Sequence, residues 1–212
     1  MINIRFPEYL RGKYQIMQID RILYPIYTLG PGERLVLWTV GCSIRCYKCS
    51  NPELWEKNTA KNIEIENLGN LIKQAITGKK IDGITIIGGD PLEQIEELSK
   101  LLPHLNDITD DILLFTGYKY EDIKSLEKWQ QIKDYISVLI DEPYIDELND
   151  NKCVLRGSTN QNIIYLKNGF KEKYESYLSK GRLVQNVFYK DKMISVGIHN
   201  LERKANAACV PS

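Results

Sequence analysis

The chain has 212 residues, 43% of them apolar and 26% charged, the proportions of a soluble globular domain long enough to bury one substantial core. Its 28 basic side chains balance 28 acidic ones, so no net field recruits nucleic acid or an anionic membrane surface. No apolar run approaches the roughly 20 residues of a membrane span, and the opening MINIRFPEYLRGKYQ lacks the apolar stretch of a signal peptide; a cytoplasmic protein with reduced thiols is expected.

From Arg34 onward, strand and helix patterns alternate. RLVLWTVGC (34–42) reads as a buried strand running into a cysteine-rich loop. IENLGNLIKQAITGKK (65–80) sets Leu68, Leu71, Ile72, Ala75 and Ile76 on one helical face, with Gly78 as a stop signal. GITIIGGDP (83–91) is a short apolar strand ending in a glycine turn. LEQIEELSKLLPHL (92–105) carries a second stripe of Leu92, Ile95, Leu98 and Leu102. DILLFTGY (111–118) reads as a strand, KYEDIKSLEKWQQIKDY (119–135) as a helix and YISVLIDEP (135–143) as a fourth strand. Such alternation implies an α/β fold with a parallel sheet covered by helices. Beyond it the pattern weakens to a loop, a strand over 162–166, a helix over 169–181 and two strands joined at Lys190-Asp191-Lys192. The last dozen residues, LERKANAACVPS, read as a tail.

The chemistry-bearing residues cluster after the first strand. Cys42, Cys46 and Cys49 fall within eight residues. Structural metal sites close with four protein ligands, whereas catalytic ones keep a position open. Iron–sulfur clusters are normally held by four thiolates, so a cluster on three would leave one iron free to bind something else. A zinc site would instead need His104 or His199 from far along the chain. Cys153 and Cys209 are isolated and read as small buried hydrophobes. Gly88-Gly89-Asp90-Pro91 ends the next strand: either a simple turn, or two glycines admitting a ligand, with carbonyls for an ammonium group and a carboxylate beside them.

The spacing of Cys42, Cys46 and Cys49 resembles the signature of the radical S-adenosylmethionine superfamily. That resemblance implies a [4Fe–4S] cluster on the three cysteines, with S-adenosylmethionine on the fourth iron as substrate-cofactor. Gly88, Gly89 and Asp90 are then similar to the superfamily's GGE motif, which grips the amino group of S-adenosylmethionine. More narrowly, GPGER, NPELW, GGDP, FTGY, DEPYI and RGSTNQ occur in this order between about Leu29 and Ile164. Together they resemble the small activating enzymes of anaerobic ribonucleotide reductase, a family of glycyl-radical-enzyme activases.

The family implies one domain, an α/β shortened and incomplete (β/α) barrel with mostly parallel strands, its core spanning about 29–166. Residues 1–16 and 167–212 would be extensions, the second a C-terminal β extension. It also implies a 5′-deoxyadenosyl radical that takes hydrogen from a glycine of a partner glycyl radical enzyme, an electron donor of flavodoxin or ferredoxin type, and no catalytic residue beyond the cluster ligands. Thr116, Tyr118, Asp141, Arg156 and Ser158 become candidate cofactor contacts. Each also has a local reading: a strand end for Thr116 and Tyr118, a cap or turn for Asp141, and for Arg156 and Ser158 a loop held by Asn160 and Gln161. Gly30-Pro31-Gly32 and Asn51-Pro52 read equally as turns, and Trp38 and Trp55 as core or lid aromatics. The chain departs from the family in having Tyr47-Lys48 where activases often carry Pro-Gly, and Lys48 where many radical enzymes place an aromatic against adenine. A radical enzyme acting on a peptide or small molecule is the second reading, since fold does not fix substrate. An iron–sulfur electron carrier is the third; it would call for a fourth local cysteine and have no use for GGDP.

Overall fold

The computed structural model describes residues 15–189 and 192–200. The final dozen residues, most of the N-terminal extension and two of the three expected hairpin-turn residues lie outside that range. A seven-stranded sheet organises the chain in the order β3-β1-β2-β4-β5-β6-β7. Its centre is β2 (Arg34–Thr39), β4 (Gly83–Gly88), β5 (Ile112–Phe115) and β6 (Val138–Asp141). These four pair in parallel, from Arg34 beside Gly83 to Phe115 beside Ile140. All four therefore end on the same edge of the molecule, where α/β proteins assemble their sites.

Antiparallel strands flank this centre. β1 (Ile16–Ile26) pairs with β2 and with the short β3 (Asn62–Glu64), and β7 (Asn162–Tyr165) pairs with β6. The long β1 was not expected. Met17, Ile19 and Arg21 alternate as its buried positions, and the arginine obscures the apolar rhythm. Arg21 is nonetheless buried, its guanidinium 5.1 Å from the Trp38 ring centroid and ion-paired to Asp20.

One sheet face packs against α1 (Ile65–Ile76), α2 (Ile95–Asn106), α3 (Tyr120–Ile123) and α4 (Glu127–Ile132), forming the largest apolar cluster. Leu68 and Ile72 of α1 and Leu98 and Leu102 of α2 are fully buried, as their spacing predicts, while Leu71 is 47% exposed. Each buried Leu or Ile contributes about 1.5–3 kcal/mol. The single helix expected over 119–135 is two short ones, because Ser125 and Leu126 interrupt the turn and let Trp129 enter the core. The opposite face holds α5 (Lys171–Leu178), through buried Tyr174 and Tyr177. Beside it lies the separate hairpin β8 (Val184–Tyr189) and β9 (Lys192–Gly197), which packs Val187, Ile194 and Val196 inward. Among the described residues no helix is long and apolar enough to cross a membrane.

Candidate active site

The loop after β2 is closed at its base before any ligand is considered. Gly41 N–H donates to Leu54 O at 2.8 Å and Cys42 N–H to Trp55 O at 3.0 Å. The end of β4 is stitched to the same loop, Gly89 N–H to Thr39 O and Asp90 N–H to Gly41 O, at 2.8 and 2.7 Å. This seam explains both glycines. A Cβ on Gly88, whose φ is +132°, would sit 2.3 Å from the Thr39 nitrogen, and one on Gly89 would sit 2.3 Å from the Gly41 oxygen. The glycines thus admit a neighbouring backbone, and both also line the cavity beside it.

A cavity of about 160 Å³ opens beside the seam. Cys42, Cys46 and Cys49 line it together with Gly88, Gly89, Asp90, Thr116 and Glu142. Asn51 N–H donates to the Cys49 sulfur at 3.4 Å, and the backbone amides of Ile44 and Arg45 favour the Cys42 thiolate, as that of Tyr144 favours Cys46. Partial burial pushes the Cys42 and Cys46 thiols up, and those amides offset part of the rise. Three partly exposed thiols in one cavity, with backbone amides favouring their charged form, fit a cluster with three protein ligands, because polar contacts to sulfur are a standard element of such sites. Among the described residues no three His, Cys, Asp or Glu form a compact metal-ion group; a cluster spreads its thiolates over separate irons and does not need one. The other described cysteine, Cys153, is buried beside Arg156 and does not line the cavity. Cys209 lies outside the described residues.

Asp90 is 1% exposed. Its carboxylate accepts from Leu92 N–H (2.9 Å), Gly117 N–H (2.7 Å) and Thr116 Oγ1 (2.9 and 3.0 Å to its two oxygens). Burial pushes it up to about 6 despite these donors. Asp90 therefore braces the ends of β4 and β5 against each other, and most of its acceptor capacity is already used. The charged cavity side chain with acceptor capacity to spare is Glu142. Its backbone holds φ +71° and its carboxylate takes one bond, from Asn160 Nδ2 at 3.2 Å. A non-glycine residue in that left-handed region is uncommon, and such strain concentrates at functional sites.

The remaining predicted contacts lie outside the cavity lining. Tyr118 donates its hydroxyl to Glu93 at 2.8 Å, and Ser43 of the cysteine loop binds the same Glu93 oxygen. Burial alone would raise Glu93, but the Ser43 and Tyr118 donors hold it below its ordinary value. Asp141 accepts from Tyr120 N–H and from Asn162, joining β6 to its neighbours. Arg156 donates to Gln161 O at 2.7 Å, and Ser158 Oγ accepts from Ile145 N–H at 3.1 Å. Gln161 Oε1 in turn accepts from Gly157 and Ser158, while Gln161 Nε2 and Asn160 Nδ2 donate to the segment after β6, at Glu142 O and Pro143 O, and Gln161 also lines the cavity. Trp38 is core, whereas Trp55 lines the cavity. Glu142 stands in the DEPYI motif, but nothing in its spacing announced a left-handed backbone. Ser43 and Tyr144 lie inside the cysteine and DEPYI motifs, but no spacing singled them out, and Glu93 carries no motif at all.

Comparison with known proteins gives this arrangement a family. Residues 28–164 match the model of a 4Fe-4S single cluster domain. The anaerobic ribonucleoside-triphosphate reductase-activating protein of Enterobacteria phage T4 is 36% identical over 69% of this chain and 93% of its own length. The protein of the same name from Escherichia coli K12 is 31% identical over 68% of this chain and 96% of its own. Among solved structures, QueE from Escherichia coli aligns with 51% of this chain and 55% of its own, at 20% identity and a TM-score of 0.41. With three thiols gathered at one cavity, a family match over residues 28–164 and relatives at 31–36% identity, the chain belongs to the anaerobic ribonucleoside-triphosphate reductase-activating proteins, a 4Fe–4S family of the radical S-adenosylmethionine enzymes.

Proposed function

We propose that Cys42, Cys46 and Cys49 hold a [4Fe–4S] cluster with one iron open to S-adenosylmethionine, and that the chain activates a partner glycyl radical enzyme, an anaerobic ribonucleotide reductase. The observation that carries this reading is the cavity with three thiols and no fourth thiol among its lining residues. Held by Cys42, Cys46 and Cys49, such a cluster would supply the electron for reductive cleavage of the sulfonium, the chemistry by which hydrogen would be removed from a glycine of the partner.

The chain's own residues prepare that chemistry. The amides of Ile44, Tyr144 and Asn51 stabilise thiolate sulfur. The Gly88–Gly89 seam and the Asp90 brace fix the distance from the cysteine loop to β4 and β5, so the site is shaped before a ligand arrives. Ile44, Ile87, Phe115 and Pro143 make the cavity wall apolar and limit water around a reactive radical. Glu142 offers a carboxylate to the hydroxyls or ammonium of the bound cofactor. Electrons come from a flavodoxin- or ferredoxin-type donor.

A shortened barrel is the fold reading that suits this use. In a flat sheet the loops after β2 and β6 would be about 14 Å apart, three strand spacings. Lys48 and Asp146, carried on the loops beyond those strand ends, bridge that span with a 2.6 Å contact above the cavity. The test is electron spin resonance on the reduced protein mixed with S-adenosylmethionine and an anaerobic ribonucleotide reductase. A glycyl-type doublet on the reductase is expected. Cofactor cleavage without that doublet would transfer the reading to a peptide or small-molecule substrate.

A further inference from the structure

The cysteine loop is suspended at two points. Near Cys42 it is tied through Ser43 to Glu93, beside β4 and β5. Between Cys46 and Cys49 it is tied to the loop after β6, 98 positions along the chain, by the Lys48–Asp146 ion pair. Asp146 is the hub of this second tie. One carboxylate oxygen accepts from Lys48 Nζ at 2.6 Å and the other from Tyr144 Oη at 2.8 Å, while Asn149 Nδ2 donates to that same hydroxyl at 3.2 Å. Tyr144 closes the circuit: it lines the cavity beside Cys46, and its backbone amide favours the Cys46 thiolate. Asp146 is 11% exposed and Lys48 53%, so the carboxylate is fixed and the lysine approaches it from solvent. Lys48 also holds φ +56°, a backbone state unusual for lysine. The ammonium lies 2.6 Å from Asp146 and 5.4 Å from the Tyr47 ring centroid.

We infer that Asp146 is a positioning residue whose clasp on Lys48 and Tyr144 keeps the Cys46–Cys49 half of the loop closed over the cavity and so governs how long the cluster is retained. The inference rests on the cluster assignment above. An ion pair with one exposed partner contributes little to global stability, but this one joins two loops that both line the cavity, so its loss opens the site locally.

The experiment measures iron release to a chelator from anaerobically loaded protein, together with thermal unfolding, for Lys48→Glu, Asp146→Lys and the double exchange. Each single change should speed release about two- to fivefold with little change in unfolding midpoint, and the exchanged pair should return toward the native rate. Release at the native rate in both single variants would overturn the inference. So would a double variant no slower than its parents, or faster release accompanied by an equal loss of thermal stability. If the native protein takes up no cluster iron, the proposed function fails first and independently.

Discussion

The two ends of the parallel sheet handle charge in opposite ways. At the N-terminal ends of β2 and β4, Arg34 is completely buried and all its reach is used. Its guanidinium donates to Thr85 Oγ1, to the carbonyls of Pro31 and Ile84, and to the Asp111 carboxylate at 3.1 Å. Lys173 and the Tyr174 hydroxyl complete Asp111 at 2.6 and 2.7 Å. Gly83 exists to admit that guanidinium, since a Cβ there would lie 2.1 Å from it. At the C-terminal ends, polar groups are gathered but left with capacity: three thiols, the Glu142 carboxylate and a cavity between them. The buried network locks the sheet, and the open rim keeps donors and acceptors unused around a cavity. The division resembles that of (β/α) barrels, where residues at one face stabilise and those at the other react.

The difference is sharpest under mutation. Asp111→Ala strands a buried arginine, and chemical denaturation should show a loss of about 3–5 kcal/mol. A loss under 1 kcal/mol would mean that the network is incidental to folding. The rim has its own buried charge in Asp90, with the opposite pH signature. Its carboxyl is raised to about 6 in the folded chain against about 3.9 unfolded, so between those values the native state binds more protons and stability falls as pH rises. Relative to Asp90→Asn, the native protein should lose about 2–3 kcal/mol between pH 4 and pH 6; parallel curves would remove Asp90 as the source. Gly89→Ala forces a methyl into the Gly41 carbonyl, and should cost about 1–3 kcal/mol while also weakening iron retention. Retention unchanged at that cost would show that the seam supports the fold without shaping the site.

These contrasts also mark what the sequence could disclose. Strand–helix alternation between Arg34 and Asp141 was legible because Leu68, Ile72, Leu98 and Leu102 obey a 3.6-residue period and the strands are short apolar runs. β1 escaped because one of its inward positions is Arg21, rendered tolerable by Asp20 and the Trp38 face. The helix α5 read as weak because its buried side is tyrosine. At the site, the cysteine triplet and GGDP stood out as motifs, yet the sequence could not say that the glycines admit backbone or that Asp90 braces two strands. Glu93 and Asp146 reach the cysteine loop only in three dimensions, so no local pattern records them. GPGER looked like a turn, and Gly30 and Gly32 do hold the left-handed backbone of one. Its arginine, however, is the centre of the far-end network.

The most direct test is the spectrum of the reduced, anaerobically reconstituted protein with and without S-adenosylmethionine, alongside iron analysis of Cys42→Ala, Cys46→Ala and Cys49→Ala. About four irons per chain are expected in the native protein, with each alanine variant losing most of them and the native spectrum shifting when the sulfonium compound is added. Full iron loading without any one of the three thiols, or a spectrum indifferent to S-adenosylmethionine, would contradict a three-cysteine cluster with an open iron.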